Sequence, residues 1–292
     1  MSLSRYRYAS SDGLEISGYR WDPAGTPVAA IQLTHGMGEH ALRYAELAGA
    51  LNRAGLVVYG QDHRGHGDTA GAGPLGDLSP GGWPALVGDI GLLTAKIRTD
   101  QPGRPLFLLA HSMGSFAAQQ YLLDHSRDVD GAVLTGTASI DLLEPALDLD
   151  QPLDLTVFNA AFQPARTDYD WLTRDEAIVD AYVADPKCGF GIDTGSAQAM
   201  FAGARRLADP GEVAAMRPDL PVYIAAGELD PVNGGGALLT PLAERYRAAG
   251  LADVTVRVYP GARHEILNET NRAEVVADLI SWLRETMDTA RS

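Results

Sequence analysis

The chain has a single cysteine, Cys188, in 292 residues, and two lysines, Lys96 and Lys187. One cysteine excludes an internal disulfide and any Cys-based metal site, which fits a reducing compartment, and a lone thiol with no histidine close in sequence reads as a plain residue rather than a nucleophile. Positive charge is scarce: 23 Lys and Arg stand against 38 Asp and Glu, a formal net charge of -15. That balance argues against a nucleic-acid partner and against electrostatic capture by anionic membranes. No apolar run approaches the roughly 20 residues of a membrane helix. The first residues, Met1 to Tyr8, lack the apolar stretch of a secretory signal, so a cytoplasmic location is the expectation. Histidines are few and never spaced as a His-x-x-x-His zinc pair, so a metal is not expected; no cofactor is expected either.

What remains is a chain with 46% apolar residues, long enough to bury a core without cross-links. Short apolar runs alternate with helical patterns: Val28 to Thr34, Leu56 to Tyr59, Pro105 to Leu109, Gly131 to Leu134, Pro221 to Ala226 and Val254 to Tyr259. Alternation of this kind predicts a mostly parallel, doubly wound α/β sheet, with Arg5 to Tyr8 and Leu14 to Tyr19 as an edge hairpin around Ser11-Asp12-Gly13. The rhythm fails between Leu134 and Pro221. An inserted helical cap over 139–208 is therefore expected on a core formed by 1–138 and 209–292. The cap holds Phe158, Phe162, Tyr169, Trp171, Tyr182, Phe190, Met200 and Phe201, which offer either the lining of a hydrophobic acyl tunnel or the small core such a layer must bury, with most of them expected in the core. Arg166, Arg174, Lys187, Arg205 and Arg206 offer charge for a phosphate head group, with a solvated face as the plainer reading.

The strongest local pattern is Ala110-His111-Ser112-Met113-Gly114, where a predicted strand stops, turns at Ser112 and becomes a helix. Small flanking residues permit a sharp turn that lifts a serine hydroxyl clear of its backbone, as a nucleophile elbow requires. Ala110 departs from the usual glycine of that pattern. His35-Gly36-Met37-Gly38-Glu39-His40 lies past the end of another strand, so the Met37 and Met113 N–H groups are the expected oxyanion donors, the latter at the positive end of a helix. Asp230 and His264 each follow a later strand, in the order serine, acid, histidine, and are expected to orient and to serve as the base. Asp141 and Glu228 are the competing carboxylates. His35, His40, His63, His66 and His111 read as braces around the site. Asp62 to Gly67 reads as a rigid loop, since it lacks the Gly-Lys-Ser/Thr ending of a phosphate loop.

In the runs 35–40, Asp62-His63-Arg64-Gly65-His66-Gly67, His111-Ser112-Met113-Gly114 and His264-Glu265-Ile266-Leu267-Asn268-Glu269, the chain resembles serine α/β-hydrolases of the monoacylglycerol lipase and lysophospholipase-like group. Ala110 and Ser115 stand where a glycine pair commonly flanks the third motif. The resemblance implies the α/β-hydrolase fold, a mobile cap over an acyl pocket, and hydrolysis of single-chain carboxylic esters through an acyl-enzyme. An acyltransferase, lactonase or carbon–carbon hydrolase using the same triad is the alternative, as is a ligand-binding protein without turnover. The expected partner is a small acyl ester, with transient contact between cap and lipid surface and no stable insertion. The sequence leaves oligomeric state open.

Overall fold

The structure, a computed structural model, describes residues 2–289. Eight strands form one sheet: β1 (Ser2–Ala9), β2 (Glu15–Asp22), β3 (Ala29–Thr34), β4 (Leu56–Gln61), β5 (Leu106–His111), β6 (Gly131–Thr135), β7 (Val222–Gly227) and β8 (Val254–Tyr259). Their order is β1-β2-β4-β3-β5-β6-β7-β8. β1 pairs antiparallel with β2 and β2 with β4, and the others run parallel. Helices α1 (Ala45–Arg53), α2 (Gly82–Asp100) and α3 (Met113–His125) link β3 to β4, β4 to β5 and β5 to β6. This is the α/β-hydrolase fold.

The central strands read as continuous apolar runs because both faces are covered. Along β5, Leu106, Leu108 and Ala110 join the core under α2 and α3, whereas Phe107 and Leu109 join the core under α1 and the C-terminal helix. Helix α2 supplies Leu86, Ile90, Leu93 and Ile97 at helical spacing to the first core. Val275, Leu279, Trp282 and Leu283 of the C-terminal helix, Arg272–Thr289, do the same for the second.

Between β6 and β7 the chain forms α4 (Glu176–Ala184), α5 (Thr194–Ala204) and the single turn α6 (Pro210–Val213), joined by 3-10 turns. Asp175, Asp193 and Asp209 begin these helices by accepting bonds from Ala177, Ser196 and Gly211 N–H groups. Helix α7 (Leu239–Ala248) then leads into β8, and α8 (Arg272–Thr289) closes the chain. Among the described residues no helix is long and apolar enough to cross a membrane.

Topology decides where chemistry can collect. β4 lies on one side of β3 and β5 on the other, so the chain changes winding direction at the β3–β5 boundary, where Thr34 pairs with Ala110. The loops leaving these two strands diverge, and a crevice opens at their carboxyl ends. One loop is 35–40 and the other turns at Ser112.

Candidate active site

Ser112 has φ 52° and ψ -124°, and among the described residues it is the one non-glycine with positive φ. Such a backbone costs on the order of 1–3 kcal/mol and persists because the surroundings impose it. Here Ser112 N–H donates to the Thr135 carbonyl at 2.9 Å, while its own carbonyl accepts from Ser115 N–H at 2.7 Å and Phe116 N–H at 3.1 Å. Ser115 has a use in this chain: its hydroxyl donates to the Ser112 carbonyl at 2.7 Å and also meets Thr137 Oγ1 at 2.9 Å. Ala110 is fully buried in β5.

Gly114 lets the first turn of α3 pass over the end of β3. A Cβ at that position would lie 2.3 Å from the His35 carbonyl oxygen and 2.5 Å from that of Thr34. The loop after β3 also presses on the serine, since a Cβ at Gly36 would be 3.1 Å from Ser112 Cβ. Met37, on the loop after β3, and Met113, at the start of α3, therefore flank Ser112, and all three line one cavity with His264.

Asp230 lies beyond β7 and His264 beyond β8. Both are buried, at 0% and 1% exposure, and Asp230 Oδ1 is 2.9 Å from His264 Nδ1. A carboxylate accepts, so Nδ1 carries the hydrogen and Nε2 is left with its lone pair. Asp230 is itself held: Oδ1 accepts from Val232 N–H at 2.9 Å and Oδ2 from Asn233 Nδ2 at 3.2 Å. Burial opposes protonation of His264. The charge and hydrogen bond of Asp230, with help from Glu265 and Glu39, outweigh it and raise its pKa above the ordinary 6.5. The competing acids are placed elsewhere: Asp141 pairs with Arg245 through bonds of 2.7 and 2.8 Å, and Glu228 accepts from Gly261 N–H.

The other histidines brace the loops. His35 Nε2 accepts from His63 N–H at 3.0 Å, and His63 Nε2 lies 3.1 Å from the His35 carbonyl. His66 Nε2 accepts from Gly38 N–H at 3.2 Å. Burial pushes His63 and His111 down to about 3 and His66 to about 4, and lowers His35 as well, so this scaffold stays neutral beside the one imidazole whose pKa rises. The Asp62 carboxylate ties its loop by accepting from Ala41 and Asp68 N–H and from Tyr19 OH.

A buried ion cluster escapes sequence reasoning. Arg43 forms a 2.6 Å bond to Glu39, on the loop after β3, and bonds of 2.6 and 2.8 Å to Glu265, beside His264. Tyr44 OH and Gly36 N–H donate to Glu39, and Asn268 Nδ2 donates to Glu265. Burial, reinforced by Glu265, raises Glu39; for Glu265 burial is outweighed by Arg43, which holds it below the usual range. Glu39 falls within the run 35–40 read in the sequence, but Arg43 carries no local mark and Glu265 lies 222 positions from it, so nothing in a short window signals the pairing.

Above Ser112 the cavity walls are Phe116, Ile140, Leu143, Leu147, Leu153, Leu155, Phe158, Trp171, Met200 and Phe201. Five of the eight large cap residues, Phe158, Trp171, Tyr182, Met200 and Phe201, line it; Trp171, Tyr182, Met200 and Phe201 are also buried in the core and Phe158 packs against it, as the sequence reading expects, so one layer serves as both core and wall. Phe190 instead packs on His66 at 4.9 Å, Phe162 under Arg263, and Tyr169 on Tyr182. Trp171 packs against His264 with ring centroids 4.8 Å apart and the planes tilted by 42°. No Lys or Arg is among the described residues that line the cavity. The cap cations are paired with acids outside it: Arg166 with Asp180, Arg174 with Glu269, Lys187 with Asp68, Arg205 with Glu144, Arg206 with Asp124 and Glu212.

Residues 25–271 match the Hydrolase_4 family, Serine aminopeptidase, S33. A monoacylglycerol lipase of Mycolicibacterium smegmatis is 32% identical over 287 residues, 96% of this chain and 96% of its own. The human monoglyceride lipase is 29% identical over 290 residues, 96% of this chain and 90% of its own. Among solved structures, a highly thermostable carboxyl esterase from Bacillus coagulans in complex with glycerol superposes with a TM-score of 0.84 at 27% identity, covering 98% of this chain and 99% of that one. A family match over most of the chain and a relative above 30% identity aligned almost end to end place it: the chain belongs to the Hydrolase_4 (serine aminopeptidase, S33) family of serine α/β-hydrolases.

Proposed function

We propose that this enzyme hydrolyses single-chain esters of neutral alcohols, monoacylglycerols foremost, with Ser112 as nucleophile, His264 as base, Asp230 as its orienting acid, and the Met37 and Met113 N–H groups as the oxyanion hole. The observation that carries the reading is an apolar cavity with Ser112 and His264 on its floor and the Asp230–His264 pair behind them. With Nδ1–H given to Asp230, Nε2 takes the Ser112 proton as Oγ attacks the acyl carbonyl. Charge collecting on the carbonyl oxygen meets the two backbone donors. His264 returns the proton to the departing alcohol, leaving an acyl-Ser112 ester, and a water deprotonated by the same nitrogen releases the fatty acid.

In this reading residues 139–208 act as the cap over a core of 1–138 and 209–292. Leu142 and Val157, 46% and 53% exposed, offer the transient contact with a lipid surface. The names of the similar lipases and esterase support an ester substrate. The cavity favours a neutral head group: Asp148 and Asp154 line it and, among the described residues, no Lys or Arg does, so a phosphate monoester would meet like charge without a partner.

The test is kcat/KM for 1-monolauroylglycerol, lauroyl lysophosphatidic acid and trilaurin, with a p-nitrophenyl ester series from acetyl to palmitoyl. The neutral monoester is expected to exceed both other lauroyl lipids by at least about tenfold, or about 1.4 kcal/mol. Within the series each methylene taken up adds up to about fourfold, the equivalent of roughly 0.8 kcal/mol. Equal turnover of the phosphate-bearing lipid, or a strict preference for acetyl, would overturn the substrate reading.

A further inference from the structure

His40 is the last residue of the loop that carries Met37, and its Nε2 is 2.9 Å from Asp185 Oδ2, at the end of α4. Cys188 lies in the turn that Asp185 starts, its N–H donating to the Asp185 carbonyl at 3.0 Å. The next residue docks the turn on the loop, since Gly189 N–H donates to the Gly38 carbonyl at 3.0 Å. One imidazole nitrogen, one carboxylate oxygen and one thiol sulfur thus lie within 4.8 Å of one another, all partly buried, at the seam between the loop after β3 and the cap. The proposed mechanism uses none of them. The sequence reading set aside a Cys-based metal site because the chain has one cysteine; the fold completes a mixed donor set around that thiol with a histidine from 148 residues earlier and a carboxylate.

We propose that His40 Nε2, Asp185 and Cys188 Sγ form a binding site for a zinc-class divalent cation that ties the cap turn to the loop after β3. The donor set is the argument. One N, one O and one S donor suit Zn²⁺, which accepts all three and takes water as a fourth ligand, and do not suit Ca²⁺ or Mg²⁺, which take oxygen. Metal–ligand bonds of roughly 2.0–2.3 Å in a tetrahedron set ligand atoms about 3.3–3.8 Å apart, so the cluster needs side-chain adjustment of about 1 Å and no backbone rearrangement. On binding, the thiol proton leaves to solvent, the proton that His40 Nε2 donates to Asp185 is exchanged through solvent onto Nδ1 so that Nε2 presents its lone pair, and the His40–Asp185 hydrogen bond is replaced by two metal bonds. Burial holds the Cys188 thiol protonated when no metal is bound. The Arg43 guanidinium, whose charge reaches this thiol, is already held between Glu39 and Glu265, and Lys187 between solvent and Asp68.

Cys188 is the sole thiol, so the wild-type protein tests the site directly. Co²⁺ should bind at one equivalent with a near-ultraviolet thiolate-to-metal charge-transfer band, Zn²⁺ should displace it, and Zn²⁺ but not Mg²⁺ should slow iodoacetamide alkylation of Cys188 by at least about tenfold, reversibly with chelator. Cys188→Ser should abolish the band, and Asp185→Asn should weaken binding at least about tenfold. Absence of stoichiometric binding, Co²⁺ binding without the charge-transfer band, or an alkylation rate indifferent to Zn²⁺ would each overturn the proposal.

Discussion

Gly114→Ala adds one methyl group where two backbones meet. Its Cβ would start 2.3 Å from the His35 carbonyl oxygen, and Cβ atoms do not approach within 3.0 Å of heavy atoms, so the N-terminus of α3 and the end of β3 must part by about 0.7 Å. Neither neighbour is a side chain that can rotate away. The two elements carry the two proposed oxyanion donors, Met113 on α3 and Met37 on the loop after β3, so the methyl widens the hole itself. A misplacement approaching 1 Å costs on the order of 10²-fold in rate, comparable to losing one oxyanion donor. Overpacking adds about 1–3 kcal/mol of destabilisation. With unfolding entropy near 2.1 cal/mol/K per residue, that corresponds to a Tm lower by roughly 2–5 °C for a chain of this length. The assay is kcat and KM on p-nitrophenyl laurate beside a thermal melt, with kcat expected to fall and KM to hold, because the acyl walls are untouched. Gly88→Ala is the control. Gly88 is on α2 with nothing within 4 Å of its would-be Cβ, and alanine there should stabilise by about 0.4–1 kcal/mol without changing kcat. A Gly114→Ala enzyme within twofold of wild type in kcat would refute the placement of the oxyanion donors.

Three further outcomes follow from the site. Ser112→Ala should lower kcat by about 10⁴-fold or more while the protein still folds, checked by ester turnover and a melt. Activity needs neutral His264, and its pKa is raised above 6.5, so kcat/KM should fall with decreasing pH at a higher pH than an ordinary imidazole would set; Asp230→Asn should move that limb to lower pH and cut kcat by about 10⁴-fold, as a pH–rate profile would reveal. Arg43→Gln strands Glu39 and Glu265 as buried carboxylates without a counter-ion, costing about 3–5 kcal/mol and lowering Tm by roughly 5–8 °C, whereas an unchanged melt would mean the cluster is solvated.

Features legible in the sequence are those a short window carries. The elbow at Ser112 was readable because a strand, a turn and a helix are contiguous there, and the parallel sheet because β3, β5 and β6 are buried on both faces and so run apolar without a break. The order of Ser112, Asp230 and His264 was readable because each follows a strand, and topology sends all those strand ends to one edge. What was not legible depends on contacts between distant segments. Glu265 reads as an ordinary residue after a histidine until Arg43 reaches it. Glu269 accepts from Arg174 and Arg263 N–H groups and so fastens the segment after β8 to the insertion, an arrangement no spacing announces. Which of the buried cap aromatics also face the cavity was not legible for the same reason: an insertion without strand periodicity gives composition but not the side on which its residues face.

The central claim is that hydrolysis passes through a covalent acyl group on Ser112, and a fluorophosphonate trap tests it most directly. After stoichiometric inactivation, peptide mass spectrometry should find one adduct per chain, on Ser112, with residual ester hydrolysis falling in proportion to the labelled fraction. An adduct on another residue, or full ester turnover by fully labelled protein, would contradict the account.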